Sequence, residues 1–252
     1  MQDALELLTK SEGSPVEVIN PAARGTVLIV CEHASSRLPE SVGTLGLSAE
    51  ALSSHIAWDP GALAVAREMA RLLDATLIAQ RFSRLVYDCN RPPEAAGAMP
   101  ETSEIYQIPG NRGLSQRDRD SRTRALYLPF HQAVSDEIDR RAARGQETVI
   151  VTMHSFTPVY MGRQRAVEIG ILHDEDSRLA DAMLSAATGL PYDIRRNEPY
   201  GPADGVTHTL IKHGLARGLK NVMIEVRNDI IRDEDGQRVM AGLLAELLGK
   251  SL

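Results

Sequence analysis

The chain has 252 residues, of which 43% are hydrophobic and 25% charged, a composition typical of a globular protein with one large core. No apolar run approaches the roughly 18 residues of a membrane span, and the N-terminal segment MQDALELLTKSEGSP lacks the features of a secretory signal. A formal net charge of −6 with scattered arginines argues against a nucleic-acid surface. We therefore expect a cytoplasmic single-domain protein, residues 1–252, whose partner is a small molecule rather than a membrane or a nucleic acid.

Apolar, β-branched runs predict six strands, and apolar periodicity of three and four residues predicts helices between most of them. The predicted strands are 27–31, 75–79, 85–87, 148–152, 167–172 and 222–226, and the predicted helices are 61–75, 126–144, 177–187, 207–217 and 237–248. This alternation predicts an α/β fold with a mixed, largely parallel sheet and helices on both faces.

Two segments depart from this alternation. Residues 1–24 are expected to be an N-terminal extension, and residues 90–123, rich in proline, glycine and polar side chains, are predicted to be a long active-site loop. The glycine motifs of nucleotide-binding proteins and the GxSxG motif of serine hydrolases are both missing from the sequence. Nucleotide binding and serine-based hydrolysis are therefore not favoured.

Cys31 and Cys89 each follow an apolar run and are expected to be reduced core residues. Neither belongs to a CxxC pair, which excludes a cysteine-rich zinc site. A metal would therefore need histidine and carboxylate ligands.

Polar residues stand at the ends of four predicted strands, where α/β proteins gather their ligands. His33 follows 27–31, the segment 88–91 follows 85–87, His154 follows 148–152, and Glu225 lies within 222–226. Any one of them alone would be weak evidence, but four together predict a functional site.

Two histidines and one carboxylate leave one position of a tetrahedral zinc ion open, as hydrolysis requires. We predict one zinc per chain with His33 and His154 as ligands, although manganese, iron and cobalt can occupy comparable sites. Asp59, in the run 55–61, is the preferred third ligand and Glu32 is a possible substitute. An N-cap role for Asp59 is the competing interpretation.

Charged side chains next to apolar runs supply the remaining candidates. Glu225 would be either a general base toward the attacking water or part of an internal salt bridge, for example to Arg227. Arg84 and Arg91 flank an apolar run, so one could bind a substrate carboxylate and the other an oxyanion. Ordinary surface arginines are the alternative for both.

From about residue 27 to residue 231 the chain resembles the N-formylglutamate amidohydrolase family. The segments that carry the resemblance are CEHASSRLP, HIAWDPGA, RFSRLVYDCNRPP, MHSF, GILHD, NEPYGPADGVTHTL and IEVRND, in this order. The family is related in fold to zinc carboxypeptidases and aspartoacylase. The resemblance therefore implies a single-domain three-layer α/β/α sandwich of the zinc-exopeptidase, phosphorylase/hydrolase-like type and a zinc-bound water assisted by a glutamate.

Carried over to this sequence, the resemblance implies that His33 and His154 are zinc ligands and that Glu225 is the catalytic base. It also implies that Asn90 and Arg91 bind the substrate carboxylate and that Arg84 polarises the carbonyl group.

One departure concerns Ser36, which stands where the related carboxypeptidase pattern places a ligand glutamate. The third ligand therefore remains an inference, with Asp59 as the candidate. Tyr200 and His208 are expected to line the substrate pocket, and His173 is a further candidate, with structural packing as the alternative for each.

These expectations combine into a metal-dependent amidohydrolase that cleaves a small N-acyl amino acid, N-formyl-L-glutamate or a related compound. Two alternatives remain open at this point. One is a metal-free enzyme with Cys31 as nucleophile and His33 as its partner. The other is a non-catalytic or differently specific ligand-binding protein on the same scaffold.

Overall fold

Four parallel strands form the centre of a mixed sheet. The computed structural model of the protein describes residues 7–252. The sheet contains β1 (Val16–Ile19), β2 (Val27–Cys31), β3 (Thr76–Gln80), β6 (Val149–Phe156), β9 (Ile169–Leu172), β10 (Ile194–Arg196) and β11 (Asn221–Arg227), in the order β1-β3-β2-β6-β11-β9-β10. Strands β3, β2, β6 and β11 are parallel to one another, and β10 is parallel to β9. Strand β1 is antiparallel to β3, and β9 is antiparallel to β11.

Helices cover both faces of this sheet. They are α1 (Ala49–Ser53), α2 (Ala62–Leu72), α3 (Gln116–Arg122), α4 (Leu128–Ala143), α5 (Arg178–Ala186) and α6 (Glu234–Ser251), with π-helical turns at Thr123–Tyr127 and Leu210–Gly214. Two short hairpins, β4 (Thr102–Ser103) with β5 (Tyr106–Gln107) and β7 (Val159–Tyr160) with β8 (Arg163–Gln164), lie outside the sheet.

The central strand β2 shows why three layers form. Its residues are all buried, and successive side chains point to opposite faces of the sheet. Ile29 packs in the core that contains α2, α5 and α6, whereas Leu28 and Val30 pack in the core that contains α4. A strand that is apolar on both faces requires helical cover on both sides, so the predicted α/β fold with a mixed, largely parallel sheet is confirmed.

Five of the six predicted strands are present. Strand β2 has the predicted bounds 27–31, and the ends of the other four differ by up to four residues. The predicted strand 85–87 is wrong: Leu85 and Val86 belong to a turn closed by the bond from the Val86 amide to the Ser83 carbonyl oxygen. These apolar side chains are buried in the α4 core without pairing to a strand. Burial explains their composition, and an apolar run alone does not distinguish a strand from another buried segment.

Edge strands β1 and β10 are additions to the sequence prediction. Strand β1, within the predicted extension 1–24, pairs with β3, while residues 1–6 of that segment lie outside the described residues. The predicted loop 90–123 contains β4, β5 and α3. Within residues 7–252, no helix combines the length and apolar character needed to cross a membrane.

A buried arginine joins α4 to the start of β2. The side chain of Arg141 is 1% exposed and its Nε donates to Glu137 Oε1 at 3.0 Å. Its two terminal nitrogens donate to the carbonyl oxygens of Gly25, Thr26 and Val27 at 3.1, 3.2 and 2.9 Å. These carbonyl groups precede or begin β2. Arg141 donates to them alongside other partners, the Val149 amide at Thr26 and the Gln146 side chain at Gly25.

Replacing this arginine tests its contribution to stability. We expect Arg141→Met to lower the free energy of unfolding by about 1–3 kcal/mol, because buried carbonyl oxygens at the start of β2 and the Glu137 carboxylate, which keeps Arg140 as a partner, each lose a hydrogen bond. Urea unfolding followed by circular dichroism measures the change. Arg144→Met, at the exposed end of the same helix, is the control and should change stability by less than about 0.5 kcal/mol. Equal unfolding midpoints for the two variants would contradict this assignment.

Candidate active site

The carboxyl ends of neighbouring parallel strands bring the two predicted histidines together. His33 stands two residues after β2, and His154 lies near the end of β6, which pairs directly with β2. Both side chains are buried, and their Nδ1 atoms lie 3.2 Å apart. Residues far apart in the sequence thus meet because their strands are adjacent in the sheet.

Backbone contacts place Asp59 beside this pair. The Asp59 amide donates to the His33 carbonyl oxygen at 2.9 Å, and the Ser155 hydroxyl donates to the Pro60 carbonyl oxygen at 2.8 Å. Helix α2 is capped by Gly61, whose left-handed φ of 81° suits glycine. The Asp59 side chain therefore does not cap α2 and faces the histidines instead.

Three ligand-type atoms converge at this point. Asp59 Oδ2 lies 2.9 Å from His154 Nδ1 and 3.3 Å from His33 Nδ1. Ligands bound to a tetrahedral zinc ion at about 2.0–2.1 Å lie about 3.3 Å from one another. The buried cluster His33, Asp59 and His154 therefore fits a metal ion.

A carboxylate stands behind each histidine. His33 Nε2 lies 2.7 Å from Asp88 Oδ1, and His154 Nε2 lies 3.1 Å from Glu32 Oε2. Metal-binding histidines usually present their second ring nitrogen to such a group, which orients the first nitrogen toward the metal. Glu32 thus lies on the far side of His154, whereas Asp59 occupies the position expected of a third ligand.

The electrostatics of the cluster favour a cation. Although burial alone lowers the pKa of a histidine, the carboxylates Glu32 and Asp59 raise the pKa of His154 well above its ordinary value. Asp88 and Asp59 likewise raise the pKa of His33, against the opposing effects of burial and a nearby arginine. Three buried carboxylates around two imidazoles leave an excess of negative charge, which a proton or a metal ion can neutralise.

Glu225 lies on β11 opposite His154 of β6 in the strand register. It is buried, and within residues 7–252 its Oε2 has no hydrogen-bond partner. Burial raises the pKa of Glu225 to about 7, although the charge of His154 opposes the shift. The alternative of an internal salt bridge to Arg227 or another arginine is not found within residues 7–252, and Arg227 pairs with Asp229 and Glu168.

Arg84 bridges two carboxylates at the same site. Its terminal nitrogens lie 2.8 Å from Asp88 Oδ2 and 3.5 Å from Asp59 Oδ1, and about a third of the side chain is exposed to the cavity. The turn at 83–86 brings Arg84 and Asp88 onto the same side. The guanidinium group is therefore held by its partners while one side remains accessible.

Asn90 and Arg91 both reach toward the segment 204–209. The Asn90 side-chain amide donates to the Val206 carbonyl oxygen, and its Oδ1 accepts from the Thr209 amide at 3.0 Å. Arg91 donates to the Asp204 carbonyl oxygen at 2.6 Å. Asn90 and Arg91 line the cavity, but both polar atoms of the Asn90 amide are engaged with the protein itself.

The three remaining candidates, Tyr200, His208 and His173, differ in whether they line the cavity. Tyr200 lines the cavity. His208 is not among the lining residues and hydrogen-bonds through Nε2 to the Tyr127 hydroxyl at 2.9 Å. His173 also lies outside the lining, with its Nε2 2.9 Å from Arg196.

The histidine cluster, Glu225, Arg84, Asn90, Arg91 and Tyr200 line one cavity of about 570 Å³. No individual role was predicted from sequence for several of the lining residues, among them Asp88, His55, Glu104 and Arg165. Asp88 belongs to the segment 88–91, which the sequence singles out at the end of an apolar run, although no separate role was predicted for Asp88. The other three come from loops and hairpins without a recognisable pattern.

Cys31 does not fit the role of a nucleophile. It is fully buried in the core with α2, α5 and α6. Burial, reinforced by nearby carboxylates, raises the pKa of its thiol well above the ordinary value. A buried thiol that resists ionisation is a poor nucleophile.

Fold and site together define an α/β protein with a buried His-Asp-His cluster, able to hold a metal, at the carboxyl ends of parallel strands. A sequence model of the family described as N-formylglutamate amidohydrolase matches residues 25–232. The chain belongs to the N-formylglutamate amidohydrolase family. Family membership supports an amidohydrolase of the N-formylglutamate type.

Two solved structures are similar over nearly the whole chain. A gene product of Agrobacterium tumefaciens is 62% identical, with a TM-score of 0.96 and 97% of each chain covered. An N-formylglutamate amidohydrolase from Ralstonia eutropha is 18% identical, with a TM-score of 0.67, 93% of this chain covered and 96% of that chain covered. The second likeness shows the shared fold alone. A search of curated proteins finds no match.

The contacts of Asn90 predict a local effect on the cavity wall. In Asn90→Ala the Thr209 amide loses its buried acceptor, so we expect faster hydrogen exchange at 206–209 and a stability loss of about 1–3 kcal/mol. Hydrogen exchange read by mass spectrometry measures this. Asn90→Asp keeps an acceptor for Thr209 but loses the donor to Val206, and should show a smaller increase. Unchanged protection in both variants would show that these bonds do not hold the segment.

Proposed function

We propose that the protein is a zinc-dependent amidohydrolase that cleaves the amide bond of a small N-acyl amino acid, N-formyl-L-glutamate or a close relative. The observation that carries the proposal is the buried convergence of His33 Nδ1, His154 Nδ1 and Asp59 Oδ2 at 2.9–3.3 Å from one another, beside a cavity. Membership of the N-formylglutamate amidohydrolase family supports the reaction class.

Two imidazole nitrogens and one carboxylate oxygen form a donor set that suits zinc, although manganese, iron or cobalt could also bind. When bound, the metal would act as a Lewis acid that activates water and polarises the acyl oxygen. His33, His154 and Asp59 would hold it, and the carboxylates of Asp88 and Glu32 would orient the two imidazoles from behind.

Glu225 is the proposed proton carrier. A carboxylate with a pKa raised to about 7 can accept a proton from water and return it near neutral pH. In the proposed reaction Glu225 takes a proton from the attacking water as the new carbon–oxygen bond forms. It then gives that proton to the amide nitrogen as the carbon–nitrogen bond breaks, and the products are a small carboxylic acid and a free amino acid.

Arginines are proposed to meet the two negative charges of the reaction. Arg84 faces the cavity beside Asp59 and would stabilise the oxyanion that develops on the acyl oxygen. Arg91 is proposed to bind the α-carboxylate of the substrate, because a guanidinium group can donate two parallel hydrogen bonds to it. Asn90 would support this subsite by holding the segment 206–209, and Tyr200 would form part of its wall.

Metal analysis and an activity assay on the same samples test the proposal. We expect about one zinc per chain by plasma emission, together with hydrolysis of N-formyl-L-glutamate. His33→Ala and His154→Ala should lose both metal and activity. Glu225→Gln should retain the metal while its activity falls by about 10²–10⁴-fold, because only the proton carrier is removed.

The two readouts separate the possible failures. Metal binding without hydrolysis of any N-acyl amino acid would overturn the catalytic proposal and favour a ligand-binding protein on this scaffold. Hydrolysis that survives in His33→Ala, or a wild-type protein that binds no metal after zinc is added, would overturn the metal site.

Asp88 offers a separate test of the site. We expect Asp88→Asn to weaken zinc binding by about 10–100-fold, because the carboxylate orients His33 and increases the basicity of its imidazole. Competition with a zinc-chelating dye measures the affinity. Asp204→Asn is the control, since its carboxylate bonds to the Gly201 amide and contacts neither histidine. Equal affinities in the two variants would show that Asp88 does not support the metal site.

A further inference from the structure

Three arginines line the cavity, and their charges are balanced differently. Arg84 is paired with the carboxylates of Asp59 and Asp88. Within residues 7–252, neither Arg91 nor Arg165 has a carboxylate oxygen within 4.0 Å of its side-chain nitrogens. Both donate to backbone carbonyl groups, and Arg165 also contacts the Tyr200 hydroxyl. Two cationic groups therefore face the cavity without an anionic partner from the protein.

Aromatic rings hold the guanidinium group of Arg165. Its central carbon lies 4.6 Å from the ring centre of Tyr160, 4.7 Å from that of Tyr200 and 5.5 Å from that of Phe156. Ring faces attract a cation without neutralising its charge, and they exclude water from the group. Arg165 is thus positioned and partly desolvated while its full positive charge is retained.

Most of the hydrogen-bonding capacity of Arg165 also remains available. A guanidinium group has five N–H donors in a planar fork. Arg165 Nη1 donates to the Thr157 carbonyl oxygen at 3.4 Å, which is a long bond. Arg165 also contacts the Tyr200 hydroxyl; this contact lowers the pKa of Tyr200, whereas the larger effect of burial raises it. A carboxylate offers two acceptors with matching spacing.

The two unpaired arginines belong to different parts of the cavity wall. Arg91 comes after β3 in the chain, and Arg165 directly follows the β7–β8 hairpin that comes after β6. Strands β3 and β6 lie on opposite sides of β2, which leads to His33. The segment from Tyr200 to Asp204 connects them, because Tyr200 stacks on Arg165 while the Asp204 carbonyl oxygen accepts from Arg91. One arginine alone would satisfy a substrate with a single carboxylate.

We infer that Arg165 binds a second carboxylate, located on the side chain of the substrate, and selects N-acyl amino acids with an acidic side chain over neutral ones. This inference rests on the proposed function and assigns the α-carboxylate to Arg91. Phe156, Tyr160 and Tyr200 are positioning residues for the guanidinium group. A role for Arg165 in packing the β7–β8 hairpin alone would affect stability but not the choice between charged and neutral substrates.

The test compares N-formyl-L-glutamate with N-formyl-L-glutamine, which has nearly the same shape but an uncharged side chain. We expect the wild-type protein to prefer the acidic substrate. Arg165→Gln should lower kcat/KM for N-formyl-L-glutamate by about 10²-fold or more, mainly through KM, and change kcat/KM for N-formyl-L-glutamine by less than about threefold. Arg165→Lys should recover part of the preference, because it retains a charge but lacks the planar fork.

Arg163→Gln is the matched control. It removes an exposed arginine from the same hairpin, outside the lining of the cavity, and should leave the preference unchanged. Thermal unfolding of each variant shows whether it is folded. Equal losses on both substrates in Arg165→Gln, or no preference in the wild type, would overturn the inference while leaving the amidohydrolase proposal intact.

A binding experiment keeps the inference testable if the proposed function fails. If the wild type hydrolyses neither substrate, the reaction is wrong, and stabilisation by glutarate against its monoamide glutaramate then decides the role of Arg165. Stronger stabilisation by glutarate that is lost in Arg165→Gln and kept in Arg163→Gln would support recognition of the second carboxylate. The same response to both compounds would overturn it.

Discussion

The close approach of two imidazole nitrogens and one carboxylate oxygen, all buried, is the constraint on which the site depends. His33 and His154 present Nδ1 atoms to each other at 3.2 Å, and two lone pairs at this distance repel unless a proton or a metal ion lies between them. The protein maintains this arrangement with bonds from surrounding groups. The Asp59 amide is bonded to the His33 carbonyl oxygen, and Asp59 Oδ2 accepts from the Ser155 amide at 3.3 Å.

The central sheet could be predicted from sequence because its strands are buried on both faces. The run 27–31 is apolar throughout, and such a run has few alternatives in a chain of alternating helices and strands. Edge strand β10 has only half-buried and exposed residues, which gives it no comparable pattern. The strand prediction for 85–87 was wrong for the opposite reason: these residues are apolar and buried, but they pack against α4 without pairing to a strand.

Residues of the candidate site could be predicted where they lie at the carboxyl end of a sheet strand. His154 and Glu225 directly interrupt apolar runs, so their polarity stands out, and the register of β6 and β11 places them side by side. Arg165 has no such signal. Its position depends on Phe156, Tyr160 and Tyr200, and the last of these comes from a segment that approaches only in the folded chain. Asn90 was predicted as a site residue, but its hydrogen-bond partners in 206–209 could not be predicted from the sequence around it.

Charge in the cavity is arranged with opposite signs at its base and walls. Buried carboxylates surround the histidines, whereas Arg91 and Arg165 stand on the walls without carboxylate partners among residues 7–252. An anionic substrate is repelled by Asp59 and Asp88 and attracted by the walls, so its carboxylates would stay away from the base. Its uncharged acyl group is then the part that can approach the histidine cluster. Arg84 pairs with Asp59 and Asp88 at the base. In the proposed reaction it would stand beside the developing negative charge, so the same charges would orient the substrate and assist the chemistry.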